Sequence, residues 1–397
     1  MNHPNLVFRH ADIYTPDGVV KDGTLTVSQG KIAGIYPSGQ APDIPPDAEV
    51  VDAAGLSLVP GFFDVHVHGG DGVDFTSGGE GGLEKICRYH ASHGTTALLA
   101  TTMTQSREQL TRAVKEAVKL IDAPVDGARV WGIHLEGPFL NPVRTGAQNP
   151  QYLRHPDLDE LRGYCELSGN RVRLITIAPE MPGAEQVIRW AAEQGITVSV
   201  GHSDATWQQM TDAISWGARH ITHLFNGMRP LHHREPGVAG TALTRDELTV
   251  ELICDGIHVH RELIPWVMRI KPRDKVVCIT DCMHAAGMPP GDYVFGGLPV
   301  RMKDGQVRLL AEDGTLGSLA GSTLNMHQAL LNCLEFTGLS LAELLPYFTI
   351  NPAAEAGADH VKGSLEIGKD ADLVLLDEQI QIHSTYVEGV RVYSRSR

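Results

Sequence analysis

The chain of 397 residues carries 48 Asp and Glu against 33 Lys and Arg, a formal net charge of −15, with 42% hydrophobic and 20% charged residues. That hydrophobic share excludes a disordered chain, and the acidic balance argues against nucleic acid or an anionic membrane as a partner. Six cysteines without CxxC spacing are too sparse for a disulfide scaffold, and there is neither an apolar run of about 18 residues nor a basic start followed by an apolar core, so the expected setting is the reducing cytoplasm, away from membranes.

In chain order, residues 1–55 hold short alternating strands such as "GTLTVSQGKIAGIYP", punctuated by the turn-forming pairs Asp17-Gly18 and Asp22-Gly23. Residues 360–397 have the same texture. Because neither piece buries a sheet alone, the two are expected to pair into one small β-domain that brings the chain ends together. Between them, over residues 56–359, strand candidates alternate with helix-period segments, the pattern of parallel βα units. In "REQLTRAVKEAVKLID", Leu110, Ala113, Val114, Ala117, Val118 and Ile121 mark one helical stripe. The strand candidates are "LVPGFFDVHVH", "TALLATTM", "RVWGIHLE", "RLITIAP", "TVSVGHS", "HITHLFN", "TVELICD" and "KVVCITD". Eight such units in succession predict a closed (β/α)8 TIM-like barrel, with an open doubly wound sheet as the alternative.

Polar residues fall at one end of these strands. His66 and His68 close the first, Glu136 the third, His202 the fifth, His223 the sixth and Asp281 the eighth. Any one of them has an ordinary structural explanation, a hydrogen-bonded histidine or a helix cap. Together, four imidazoles and two carboxylates on one barrel rim call for a cation to satisfy them. Imidazole with carboxylate and no thiolate suits zinc, iron, manganese or cobalt, and zinc or iron(II) is the expectation. Six candidates exceed the usual three protein ligands of a catalytic zinc, which suggests a two-ion centre sharing Glu136, with one strong site as the fallback.

The segments "PGFFDVHVHGG", "HLEGPF", "GHSDA", "THLFNGM", "HHREPG", "DGIH" and "TDCMHAAG" occur in an order that resembles the N-acetylglucosamine-6-phosphate deacetylases of the amidohydrolase superfamily. The resemblance spans nearly the whole chain and implies a metal-dependent barrel with a small β-sandwich built from both chain ends. It implies that Glu136, His202 and His223 hold the principal ion, that His66 and His68 support a second with Asp281 beside it, and that Asp281 is the catalytic acid and base. Asn226 and Gly227 are then sugar contacts, Arg234 and His258 hold the phosphate end, Asp255 of the "DGIH" segment is a further substrate-binding residue, and Leu319, Ala320 and Gly321 of "LAGS" line the substrate. Ala147 and Gln148 would lie near the acetamide carbonyl; many relatives have His where this chain has Gln148, and a Gln amide donates a hydrogen bond without becoming cationic. The "GGLPVRMKDGQV" stretch has no phosphate-loop pattern, and Asn351-Pro352 reads only as a helix start.

The activity so implied is hydrolysis of N-acetyl-D-glucosamine 6-phosphate to D-glucosamine 6-phosphate and acetate, in amino-sugar catabolism or cell-wall sugar recycling, by a homodimer in which Arg234 reaches a neighbour's site. Two other readings stand beside it. One is the galactosamine epimer, since a single sequence does not report which face of C4 is read; the other is an inactive scaffold that keeps the barrel for binding.

Overall fold

The computed structural model describes residues 4–395, apart from 41, 43, 47, 80, 124 and 125. Eight parallel strands follow one another around a single sheet: β1 (Phe62–Val67), β2 (Thr95–Thr102), β3 (Arg129–Glu136), β4 (Val172–Ile177), β5 (Thr197–Val200), β6 (His220–Ile221), β7 (Thr249–Ile253) and β8 (Val276–Ile279). The first and last strands meet just past their ends, where Asp281 N–H donates to the His66 carbonyl at 2.9 Å and Val67 bridges Cys282 in parallel. This nearly closed barrel is the expected one. Its strands are β-branched and apolar because both faces are covered, the inner by facing strands and the outer by helices.

Sequence pattern explains the helices well. Helix Arg107–Asp122 starts where Ser106 caps the Gln109 N–H, and it buries Leu110, Ala113, Val114, Ala117 and Leu120. The expected stripe is thus rotated slightly: Leu120 is buried while Val118 and Ile121 are half-buried. Helix Trp207–Trp216 opens with a Thr206–Gln209 capping box.

Both chain ends enter one sheet. Leu373–Leu376 runs antiparallel to Ser57–Pro60, which pairs with Leu6–Thr15, so that the C-terminal strands join the N-terminal ones around a core that includes Phe8, Ile13, Leu25, Leu373 and Tyr386. Two details differ from the sequence reading. The strand candidate "LVPGFFDVHVH" divides at Pro60-Gly61, its first part going to this sheet and its second to the barrel. Asp22-Gly23 is not a turn between strands; it lies inside Gly18–Ser28 at a register shift, with Asp22 at φ 48°.

An unexpected element follows β8. Residues Gly291–Phe295, Leu298–Lys303, Gln306–Leu310 and Leu316–Leu319 form a four-stranded antiparallel sheet, which packs Phe295, Val300 and Val307 against Met103, Ala147 and Met283 near the barrel mouth. Its hairpin turns at Gly296-Gly297 and Asp304-Gly305 are its local signal in the sequence.

Candidate active site

The strand ends that carry the candidate residues converge on one face of the barrel. His66 lies within β1 and His68 just beyond it, while Glu136 closes β3. His202, His223 and Asp281 each sit two residues past their strands, and all three adopt left-handed backbone angles, with φ of 46°, 31° and 50°. Such angles cost a non-glycine residue on the order of 1–3 kcal/mol and persist where the surroundings impose them. Here the three bent positions are those whose side chains meet His66, His68 and Glu136.

The six side chains form two adjoining triads, His66–His68–Asp281 and Glu136–His202–His223, with the ligand atoms of each triad within 4.8 Å of one another. Glu136 Oε1 stands 3.2 Å from His202 Nε2 and 3.0 Å from His223 Nε2, and those nitrogens are 3.1 Å apart. Across the gap, His66 Nε2 and His68 Nε2 are 3.3 Å apart, and His68 Nε2 lies 3.3 Å from Glu136 Oε2 and 3.2 Å from Asp281 Oδ1. Glu136 thus faces both triads.

The outer nitrogens show what the inner ones must be. His202 Nδ1 donates to the Arg144 carbonyl at 2.8 Å, His68 Nδ1 faces the Thr101 carbonyl at 3.3 Å, and His66 Nδ1 donates to Glu251 Oε2 at 2.9 Å. Each Nε2 then points a lone pair at other lone pairs and at carboxylate oxygens, an arrangement that calls for a cation between them. Ligand atoms about 2.1 Å from a tetrahedral ion stand roughly 3.3–3.4 Å apart, close to these separations. With no cation between them, the carboxylates of Asp281 and Glu136 favour a proton on His68, raising its imidazole to about 9 against the pull of burial; a divalent ion would take that proton's place. Burial likewise opposes the Glu136 charge, but His66, His202 and His223 hold it well below the usual carboxylate range. The residues present fit a divalent ion.

Above the triads lies a cavity of about 430 Å³, lined by Ala147, Gln148, Asn226, Gly227, His258, Leu319 and Gly321 together with His68, Glu136, His202, His223 and Asp281. Gly227 has φ +57°, and a Cβ there would come within 3.0 Å of His202 Nδ1, so the loop can approach the imidazole only as glycine. Gly321 is similar, with φ +59° and the Asp281 carbonyl 3.2 Å from where a Cβ would sit. Three expected substrate contacts lie elsewhere. Asp255 stands behind His258, accepting from its Nδ1 at 2.6 Å, and Ala320 is buried under the added sheet. Arg234 is exposed, its guanidinium 2.9 Å from His233 Nε2, and this chain alone does not bring it to the cavity.

Some residues of the site were missed. Arg308, on the added sheet, lines the cavity and among the described residues hydrogen-bonds only neutral oxygens, Gln306 Oε1 and the Gly317 carbonyl, both at 3.2 Å, whereas Arg144 in the same wall is paired with Asp204 at 2.7 Å. Glu251, His220 and Glu355 lie beneath the triads. The signal for Glu251 was present in "TVELICD", a carboxylate in the middle of an otherwise apolar strand. Cys254, Cys278 and Cys333 also cluster, all buried, with Cys254 Sγ 3.7 Å from Cys278 Sγ, but they pack within the apolar core of the barrel domain.

Comparison with known proteins agrees with this geometry. The Amidohydrolase family model matches residues 57–392. N-acetylglucosamine-6-phosphate deacetylase of Lysinibacillus sphaericus is 37% identical over 99% of both chains, and N-acetylgalactosamine-6-phosphate deacetylase of Escherichia coli O157:H7 is 38% identical over 96% of this chain and 98% of its own. The solved structure of a mutant N-acetyl-D-glucosamine-6-phosphate deacetylase from Mycobacterium smegmatis, in complex with N-acetyl-D-glucosamine-6-phosphate, superposes with a TM-score of 0.89 at 32% identity, covering 98% of this chain and 100% of that one. The chain belongs to the amidohydrolase family, and to the N-acetylglucosamine-6-phosphate deacetylases within it.

Proposed function

We propose that this protein hydrolyses the acetamide of N-acetylglucosamine 6-phosphate, releasing acetate and glucosamine 6-phosphate, with zinc or iron(II) held by Glu136, His202 and His223 and a second ion by His66, His68 and Asp281. The observation that carries this reading is the meeting of four imidazoles and two carboxylates in two triads, five of the six side chains lining a cavity sized for a small molecule. A divalent ion bound there polarises a carbonyl and acidifies water, the two things an unreactive amide requires.

The chain's own groups supply the rest. Asp281 Oδ1 reaches into the space between the triads, where it accepts the proton of the attacking water and returns it to the departing nitrogen, which leaves poorly as an anion. Gln148 is held in one orientation: its carbonyl accepts the Thr104 N–H at 2.7 Å, which turns its amide nitrogen toward Glu136 and the reacting centre. An N–H so placed stabilises a developing oxyanion. Farther out, His258, braced by Asp255, and Arg308 face the anionic end of the sugar. Assembly as a homodimer would add Arg234 of a second copy to that end. Six free, buried thiols fit a reducing cytoplasm.

The test is acetate release from the gluco and galacto 6-phosphates and from unphosphorylated N-acetylglucosamine, with metal counted on the same sample. The expected result is preference for the gluco phosphate, activity lost on chelation, and activity restored by zinc or iron(II). Faster turnover of the galacto epimer would move the assignment to that substrate, and release from neither would leave the scaffold reading.

A further inference from the structure

Glu251 is fully buried on β7 and lies outside the cavity, yet its side chain touches both triads. Its Oε2 accepts from His66 Nδ1 at 2.9 Å and from the His223 backbone N–H at 2.9 Å. The first contact fixes the ring and tautomer that aim His66 Nε2 inward; the second holds the left-handed turn, φ 31°, that aims His223. A carboxylate buried this deeply needs a counter-charge. His220 supplies it: its Nε2 lies 3.1 Å from Glu251 Oε1 and its Nδ1 3.0 Å from Glu355 Oε2. An imidazole with both nitrogens on carboxylate oxygens donates from both and is therefore cationic. Glu355 is anchored in turn by Thr249 Oγ1 at 2.8 Å. The row runs from Glu355 through His220 and Glu251 to His66, and none of the four lines the cavity.

We propose that Glu251 is a positioning residue for the metal centre, holding His66 and the His223 turn in register with each other, and that His220 and Glu355 keep it in place. The proposal rests on the reading that the triads hold ions, and its test separates the two. Wild-type protein and Glu251→Gln are stripped with a chelator and titrated with zinc by calorimetry, and the unfolding midpoint of each stripped protein is recorded. Outer groups that orient metal-bound histidines typically contribute 10–100-fold in affinity, so Glu251→Gln should bind zinc about 10–100-fold more weakly, and Glu251→Asp should recover part of the loss. Unchanged affinity and stoichiometry in Glu251→Gln, whatever its midpoint, overturns the proposal. Failure of the wild type itself to bind zinc overturns the metal reading instead. Should Glu251→Gln not fold, Glu355→Gln takes its place: it leaves Glu251 in the site but frees His220, and weaker zinc binding is again expected, while wild-type binding contradicts the proposal.

Discussion

Gln148 and Glu136 meet in the cavity floor, the amide nitrogen 2.5 Å from Glu136 Oε2, while the Gln148 carbonyl is committed to Thr104. The amide therefore cannot flip without losing two hydrogen bonds, and its nitrogen stays beside Glu136, with Met103 Sδ 3.7 Å away. Gln148→Ala should lower kcat by about 10²–10³-fold, as removal of one oxyanion donor does, with metal content unchanged. Steady-state kinetics with metal analysis checks this, and a pure KM effect would assign Gln148 to ground-state binding.

The two histidines of β1 and its end offer a count rather than a rate. If His66 and His68 hold a second ion, the His66→Ala, His68→Ala double variant should fall from about two equivalents of metal to about one. Elemental analysis after gel filtration reads this directly. An unchanged count would make the pair hydrogen-bonded lining of the barrel.

Among the described residues Arg308 is the cavity's arginine without a carboxylate partner, and a charge-assisted contact contributes about 1.5–3 kcal/mol. Arg308→Ala should raise KM for the phosphorylated sugar by roughly 10–100-fold and leave the unphosphorylated sugar nearly untouched. Equal losses on both substrates would place Arg308 in support of the added sheet. Arg234→Ala should show the same selectivity only in a protein that light scattering finds dimeric, because within one chain Arg234 stays at the surface.

His90 gives a prediction about pH and stability away from the chemistry. Burial pulls its imidazole down to about 4, while its Nε2 meets the Gly69 carbonyl at 3.0 Å. The unfolded chain binds this proton near pH 6.5, the folded one only near 4, so the contribution of neutral His90 is complete above about 6.5 and is lost as pH falls toward 4. Within that window the slope is about 1.4 kcal/mol per pH unit. His90→Gln should flatten it: in urea unfolding, the gap between wild type and variant narrows from pH 7 to pH 4. A constant gap would show that His90 does not titrate differently on folding.

How much of this was legible in the sequence depends on the kind of signal. The barrel was legible because each of its eight strands is a compact apolar run, and the triads because His66, His68, Glu136, His202, His223 and Asp281 are polar residues at the ends of such runs. Glu251 and His220 lie inside or at the start of their strands, where a polar residue has no positional meaning until the fold shows what faces it. Glu355 belongs to a short helix more than 100 residues away in sequence from its partner Thr249 and became relevant only through packing at the barrel bottom. The added sheet was missed because its strands are half-exposed and mixed in composition, and Arg308 was missed with it. Left-handed angles at His202, His223 and Asp281 oppose local preference, so no propensity argument could have anticipated them.

Asp281 tests the central claim most directly, because the account asks it to move protons between water and amine in a site that also holds metal. The measurement is acetate release from N-acetylglucosamine 6-phosphate by Asp281→Asn and wild type, compared at measured metal content. The account predicts a fall of roughly 10²–10⁴-fold in turnover per metal-loaded molecule, the usual contribution of a positioned acid and base, with the ion at Glu136, His202 and His223 retained. Turnover close to wild type at matched metal content would contradict it.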